Sequence, residues 1–160
     1  MRKEIIGPKT VGEKGEPAAE WLDLDSIARV QLTSEDPAFP VENALSRNLE
    51  HNKVGWHAAG LGPQTITLLF DAPRTIRRVL LQFTEHKIER SQEFVLRYSS
   101  AGETEREIVR QQWTFSPSGS AQEIEDYAID LEGVTKLELV IEPDRGRSQS
   151  RATLSALRLA

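Results

Sequence analysis

Three polar stretches of the chain, residues 34–40, 84–92 and 143–150, carry side chains suited to binding a small polar ligand. Arginine offers a rigid fork of hydrogen-bond donors, carboxylates accept hydrogen bonds, and an aromatic ring can carry the apolar face of a sugar. Loops are polar in most proteins, so solvated surface is the alternative explanation. The side chains of this kind in the three stretches include Glu35, Phe39, His86, Arg90, Arg145 and Arg147.

Arg145, Arg147 and Arg151 form the densest basic cluster of the sequence. Guanidinium groups this close together can clamp a phosphate or a carboxylate. The alternative is internal pairing with nearby carboxylates such as Glu142 and Asp144. Both interpretations remain open at this point.

Metal binding and catalysis find little support in the residue pattern. His51 and His57 are six residues apart, which is not a strict metal-ligand spacing. Glu85, His86 and Glu89 could contribute to a metal site, but nothing in the sequence fixes a further ligand from another part of the fold. The chain has no cysteine, which excludes disulfides, Cys-ligated zinc, iron–sulfur clusters and cysteine nucleophiles. It also lacks the common serine-hydrolase, phosphate-loop and zinc-protease motifs. We therefore expect a binding protein with no catalytic residues, no metal site and no cofactor.

The composition indicates one globular domain. The chain has 160 residues, 38% of them hydrophobic, and a net charge of −5. This acidic balance argues against general binding to a nucleic-acid backbone. No window is apolar enough for a membrane helix, and the N-terminus lacks the apolar stretch of about 7–15 residues that marks a secretory signal. We expect a cytoplasmic protein with a loosely ordered arm, residues 1–20, followed by a domain over residues 21–160.

Short runs of β-branched and aromatic residues, separated by turn residues, predict an all-β fold. Trp113 is expected in the core, with a β-bulge before it. Trp21 is expected to anchor the arm to the domain, and only residues 41–45 favour helix. The predicted strands cover residues 27–33, 55–59, 64–70, 75–83, 93–99, 107–115, 127–131, 136–142 and 152–159.

The order of these strands and tryptophans resembles the discoidin, or coagulation-factor C-type, family of galactose-binding-like proteins. Matching segments include ARVQLTSE, PVENALSRN, Trp56, TITLLFDAPRTIRRVLLQF, FVLRYSSAGE and the closing KLELVIEPDRGRSQSRATLSALRLA. The resemblance covers residues 26–160 and rests on the order of several weak signals. It implies an antiparallel jelly-roll β-sandwich whose ligand loops, at one end, are the three stretches named above, with His57 beside them. The family buries a tryptophan at the position of Trp56, so Trp56 is expected in the core. The candidate ligand-binding residues that the resemblance implies are Glu35, Phe39, His57, His86, Arg90, Arg145 and Arg147. Part of the region also resembles the N-terminal domain of a eukaryotic single-strand-break repair scaffold, which has the same jelly roll.

The sequence departs from the family where some relatives bind structural calcium. The resemblance places an aspartate and a glutamate at positions held here by Ser46 and Ala156. Calcium needs several hard oxygen ligands, usually with carboxylates among them. Only backbone carbonyls, with Glu42 or Asn48, would remain, so we do not expect calcium.

The leading hypothesis is a non-catalytic module that binds a carbohydrate at the loop end. A cytoplasmic protein–protein adaptor is the alternative, and a nucleic-acid-associated domain is a weaker one. Phe39, between two prolines, is either a ligand platform or a plug that closes the end of the sandwich. A concave pocket with an exposed Phe39 or Trp56 would support sugar binding, whereas a flat apolar patch would support an adaptor or a dimer.

Overall fold

The computed structural model describes residues 21–147 and 149–160, so the arm predicted for residues 1–20 lies outside it. Strands hold 55% of the described residues and helices hold 10%. None of the described helices is long and apolar enough to cross a membrane. The elements are α1 (Leu24–Ile27), β1 (Ala28–Leu32), α2 (Glu42–Leu45), α3 (Leu49–Val54), β2 (Trp56–His57), β3 (Gln64–Thr84), β4 (Arg90–Ser100), β5 (Arg106–Phe115), β6 (Gln122–Glu142), β7 (Thr153–Leu154) and β8 (Ala156–Leu159).

The two longest strands, β3 and β6, pair antiparallel along their length and organise the fold. Their register shifts between Leu69 and Arg78, where bulges bend both strands. On one side of the bend, β1 joins β3, and β4 followed by β5 joins β6. On the other side, β8 joins β3. The small β2–β7 pair forms a separate two-stranded sheet.

One apolar core lies between the two halves of the bent sheet. The two-residue alternation of β3 fully buries Val79, Leu81 and Phe83 on one face. Of the two residues between them, Leu80 is buried and Gln82 is partly exposed. The Phe83 ring stacks on Phe94 of β4 with centroids 5.3 Å apart, which joins the two layers. Trp56 is also fully buried in this core. The predicted antiparallel β-sandwich with little helix is therefore confirmed.

Several predicted strand breaks are absent. Residues 64–70 and 75–83 belong to one strand, β3, and residues 127–131 and 136–142 both belong to β6. The β5 bulge lies at Ile108, because Leu96 pairs with Val109 while its neighbour Arg97 pairs with Glu107. The bulge predicted before Trp113 was wrong in position.

The prediction of a single helix was also wrong. The missed helix α3 follows Asn48, whose side-chain oxygen accepts a hydrogen bond of 2.8 Å from the backbone N–H of Glu50. This is a standard N-terminal cap. Helix α1 has only four residues, too few for a periodic signal in the sequence. Both helices cover the sandwich without changing its class.

Candidate functional site

A cleft of ≈ 360 Å³ opens at one end of the sandwich. Its size falls at the lower end of the range for small-molecule sites. Three parts of the chain line it: residues 53–57 at the end of α3 and in β2, residues 84–88 after β3, and residues 151 and 153–155 around β7. The exposed apolar side chains of Val54 and Ile88 lie in its wall. The loop end is thus concave rather than flat.

The back of the cleft is the short β2–β7 pair. Trp56 pairs with Leu154, and His57 pairs with Thr153. The Trp56 ring is fully buried, and its Nε1–H donates to the carbonyl oxygen of Ser34 at 3.2 Å. Trp56 therefore holds the pair against the core and offers no exposed surface for a ligand to stack on.

Gly55 lets helix α3 turn directly into β2 beside the cleft. Its φ is +70°, a conformation that other residues rarely adopt. A Cβ at this position would lie 2.8 Å from the carbonyl oxygen of Leu154. A glycine is therefore needed both for the backbone angle and for the close approach to β7.

The loop over residues 84–88 is held in place by the carboxylate of Glu85. Its Oε1 accepts a hydrogen bond of 2.7 Å from Nε of Arg90, and its Oε2 accepts from the backbone N–H of Lys87 at 3.0 Å. Burial opposes ionisation of Glu85, but these hydrogen bonds outweigh it and lower its pKa. The carboxylate is thus ionised at neutral pH and tied to its own loop.

Arg90 lies behind the cleft wall, which corrects its predicted role as a ligand contact. It is 2% exposed and lies outside the cleft lining. Besides Glu85, it donates to the carbonyl of Pro143 at 2.8 Å, to Oε1 of Gln92 at 3.1 Å and to Oγ1 of Thr153 at 3.3 Å. The structure therefore makes Arg90 a positioning residue that joins both walls of the cleft.

His57 is the planar group that faces the cleft from β2. Its imidazole stacks on the ring of Phe39, with centroids 3.9 Å apart and planes inclined by 7°. Burial lowers the pKa of His57, with the charge of Lys87 acting in the same direction and those of Asp36 and Glu85 opposing. A neutral imidazole can both donate and accept a hydrogen bond. Phe39 supports this ring from behind and does not line the cleft.

The remaining predicted site residues are scattered around the loop end. His86 is exposed and lines the cleft. The Glu35 carboxylate accepts from the backbone N–H of Val41 at 2.7 Å, which fixes its own loop. Arg145 donates to Oε1 of Gln112 at 3.2 Å on the outer strand β5, and Arg147 is exposed away from the cleft. Of the seven candidates, the structure brings His57 and His86 together at the cleft.

Several polar residues outside the candidate set also line the cleft, and Lys87 among them lies in the predicted 84–92 stretch. Lys53, Lys87 and Arg151 contribute positive charge, and Thr153 lies opposite His57 in the β2–β7 register. Arg151 had been recognised only as part of the basic cluster. Its two-residue spacing from Thr153 was the available signal, because side chains two apart along an extended chain share one side.

The residues at the expected calcium position do not fit the ion. Oxygens that calcium would require are already hydrogen-bonded, since Nδ2 of Asn52 donates to the carbonyls of Asn43 at 3.0 Å and Ser46 at 3.1 Å. The guanidinium of Arg158 donates to Oδ1 of Asn52. An amide and a guanidinium occupy the place where carboxylate ligands would be needed.

Comparison with known proteins supports the fold assignment. No family model and no curated protein matches the sequence. The structure resembles a family 32 carbohydrate-binding module (CBM) from C. perfringens NanJ, solved with galactose, with a TM-score of 0.63, 11% identity and coverage of 87% of this chain and 96% of that one. The family 32 CBM of AlyQ, solved with 4,5-unsaturated mannuronic acid, gives a TM-score of 0.59, 17% identity and coverage of 84% and 95%.

A pectin-binding carbohydrate-binding module is also similar, with a TM-score of 0.59, 15% identity and coverage of 84% of this chain and 90% of that one. These likenesses confirm the galactose-binding-like β-sandwich. At such low identity they establish the fold alone, and membership of the discoidin family stays a prediction.

Proposed function

We propose that this chain is a non-catalytic module that recognises a carbohydrate in the loop-end cleft. The observation that carries the proposal is the composition of that cleft. Two apolar side chains, Val54 and Ile88, adjoin the hydrogen-bonding groups of His57 and His86. A sugar presents the same combination, apolar C–H faces edged with hydroxyl groups. The similar structures include carbohydrate-binding modules, which supports this assignment.

The absence of catalysis is part of the proposal and follows from the carboxylates at the cleft. Most glycoside hydrolases need a pair of carboxyl groups on either side of the scissile bond. Among the described residues that line the cleft, Glu85 is the only carboxylate, and Arg90 and the loop backbone already engage it. This arrangement can bind a sugar but does not provide an acid and a base.

A glycan array followed by titration calorimetry tests the proposal. His86→Ala removes an exposed cleft side chain and should weaken binding by roughly twofold to tenfold, the loss expected for one neutral hydrogen bond. His51→Ala is the matched control, because His51 is also exposed but lies outside the cleft. If no glycan binds at millimolar concentration, the carbohydrate proposal is wrong. The protein–protein adaptor hypothesis would then be the better explanation of the cleft.

A further inference from the structure

The cleft carries positive charge that the described part of the chain does not neutralise. Lys53 pairs with Glu50 at 3.1 Å, and Glu85 pairs with Arg90 from behind at 2.7 Å. Lys87 and Arg151 also line the cleft, and neither has an ion-pair partner among the described residues. The whole chain has a net charge of −5, so a cationic cleft runs against its overall balance.

Arg151 is placed to reach a ligand that lies against β2 and β7. Thr153 lies two residues further along and is paired with His57, so these side chains border the same part of the cleft. Thr153 uses its hydroxyl within the protein, accepting from Arg90 and donating to the carbonyl of Thr84. The exposed guanidinium of Arg151 retains a planar fork of donors that matches a carboxylate.

The remainder of the cleft suits a sugar ring beside such an anion. His57 offers a neutral imidazole, and Val54 and Ile88 offer apolar contact. Lys87 comes from the opposite wall and adds a second, flexible cation. Electrostatic attraction between unpaired cations and an anionic ligand is strengthened where the ligand excludes water.

We infer that the ligand is an acidic sugar, a hexuronic acid residue whose carboxylate binds Arg151 while Lys87 contributes long-range attraction. This inference rests on the proposed carbohydrate function and specifies the ligand class for the same cleft. A sulfated sugar shares the negative charge but not the planar carboxylate, so the two can be distinguished experimentally.

The test compares matched pairs of ligands by calorimetry. Methyl galacturonate and methyl glucuronate glycosides are titrated alongside methyl galactoside, methyl glucoside and galactose 6-sulfate. The uronates should bind at least tenfold more tightly than the neutral sugars, and their advantage should shrink as salt increases. Arg151→Gln should remove roughly tenfold to hundredfold of uronate affinity, the loss expected for one charge-assisted hydrogen bond. Arg29→Gln, at an exposed arginine of β1 outside the cleft lining, should leave it unchanged.

The possible failures are distinct. Equal or tighter binding of the neutral sugars would overturn the acidic-sugar inference and leave the proposed function intact. Binding of the sulfated sugar without the uronates would overturn the assignment of a carboxylate. Uronate binding unaffected by Arg151→Gln would reject the role of that residue. If no sugar of any kind binds, the proposed function and the inference fail together.

Discussion

Two arginines near Thr153 show how the same residue type serves two different regions of the loop end. Arg90 lies behind the cleft, where its guanidinium contacts Glu85, Gln92, the Pro143 carbonyl and Thr153. Arg151 lies on the rim, exposed and without an ion-pair partner among the described residues. In the inner region, around Arg90, the guanidinium is held by acceptors within the protein. On the rim, around Arg151, the guanidinium remains available to a ligand.

This difference explains why polar residues in the same loops have separate roles. A buried guanidinium is tolerated only when its donors are matched by acceptors, so Arg90 is fixed by the protein itself. An exposed one keeps its hydration and can exchange water for a ligand. We therefore expect substitutions in the inner region to change stability, and substitutions on the rim to change affinity.

The largest effect is expected for Arg90→Ala. Removing one partner of a fully buried ion pair costs about 3–5 kcal/mol. Glu85 is partly exposed to the cleft, so we expect a loss near the lower end of that range. At roughly 2–4 °C per kcal/mol for a domain of this size, the melting temperature should fall sharply. Denaturant unfolding measures the change. Arg145→Ala is the control, since an exposed pair contributes about 0–1 kcal/mol. Equal losses of unfolding free energy in Arg90→Ala and Arg145→Ala would show that Arg90 contributes no more to stability than an exposed arginine.

Gly55→Ala should produce the next largest loss of stability. The substitution combines a strained φ of +70° with a Cβ placed 2.8 Å from the Leu154 carbonyl, so β2 must move away from β7. Gly102→Ala is a close control, because Gly102 has a φ of +76° with no atom within 4 Å of its added Cβ. Backbone strain alone costs roughly 1–3 kcal/mol. A loss in Gly55→Ala no greater than in Gly102→Ala would contradict the close approach.

The sequence predicted the fold better than the site because the two depend on different information. Alternation along residues 75–83 and 93–99 is local, and it correctly placed Val79, Leu81 and Phe94 in the core. Whether an arginine is buried depends on residues far away, and the Arg90 partners Pro143 and Thr153 are more than fifty positions distant. No local pattern distinguishes such an arginine from an exposed one.

The same limit explains the errors in the strands. The predicted strands stopped at residues 70 and 131 and resumed at 75 and 136, yet β3 continues through Pro73 and β6 through Gly133. The pairing of β3 with β6 shifts its register near these positions, and a bulge needs no chain reversal. His57 was identified because it adjoins Trp56, whereas Arg151 needed the β2–β7 register to be recognised.

A third prediction concerns Glu123, at the deep end of the inner region. It is fully buried and accepts a hydrogen bond of 3.3 Å from Gln92, which itself accepts from Arg90. Burial, together with the hydrogen bond and charge of Glu125, raises the pKa of Glu123 to about 9. The group is therefore protonated in the folded protein at neutral pH and ionised in the unfolded chain.

The sign of the pH dependence follows from that raised pKa. Between the ordinary carboxyl pKa and about 9, the folded state binds more protons than the unfolded state, so stability falls as pH rises. The contribution of Glu123 is about 1 kcal/mol per pH unit. Glu123→Gln keeps the shape without the titrating proton and should flatten this decline in denaturant titrations from pH 5 to about 9. An unchanged slope in the variant would assign the dependence to another group.

The smallest effect is expected for calcium, at the Asn52 cluster beside α2 and α3. If the ion bound at a hundred times its dissociation constant, it would add about 2.7 kcal/mol of stability. Here the Asn43 and Ser46 carbonyls accept hydrogen bonds from Asn52, and the guanidinium of Arg158 adds positive charge beside them.

Binding calcium at this cluster would require breaking both Asn52 hydrogen bonds and moving the half-buried Arg158 guanidinium, with no carboxylate gained in return. Melting curves recorded with millimolar calcium and with a chelator should therefore coincide. Magnesium at the same concentration controls for general ionic effects. A calcium-dependent rise in melting temperature that the chelator reverses would mean that Asn52 releases the two carbonyls. The cluster would then be open to a ligand, as Arg151 is on the rim, and not closed by internal hydrogen bonds, as Arg90 is.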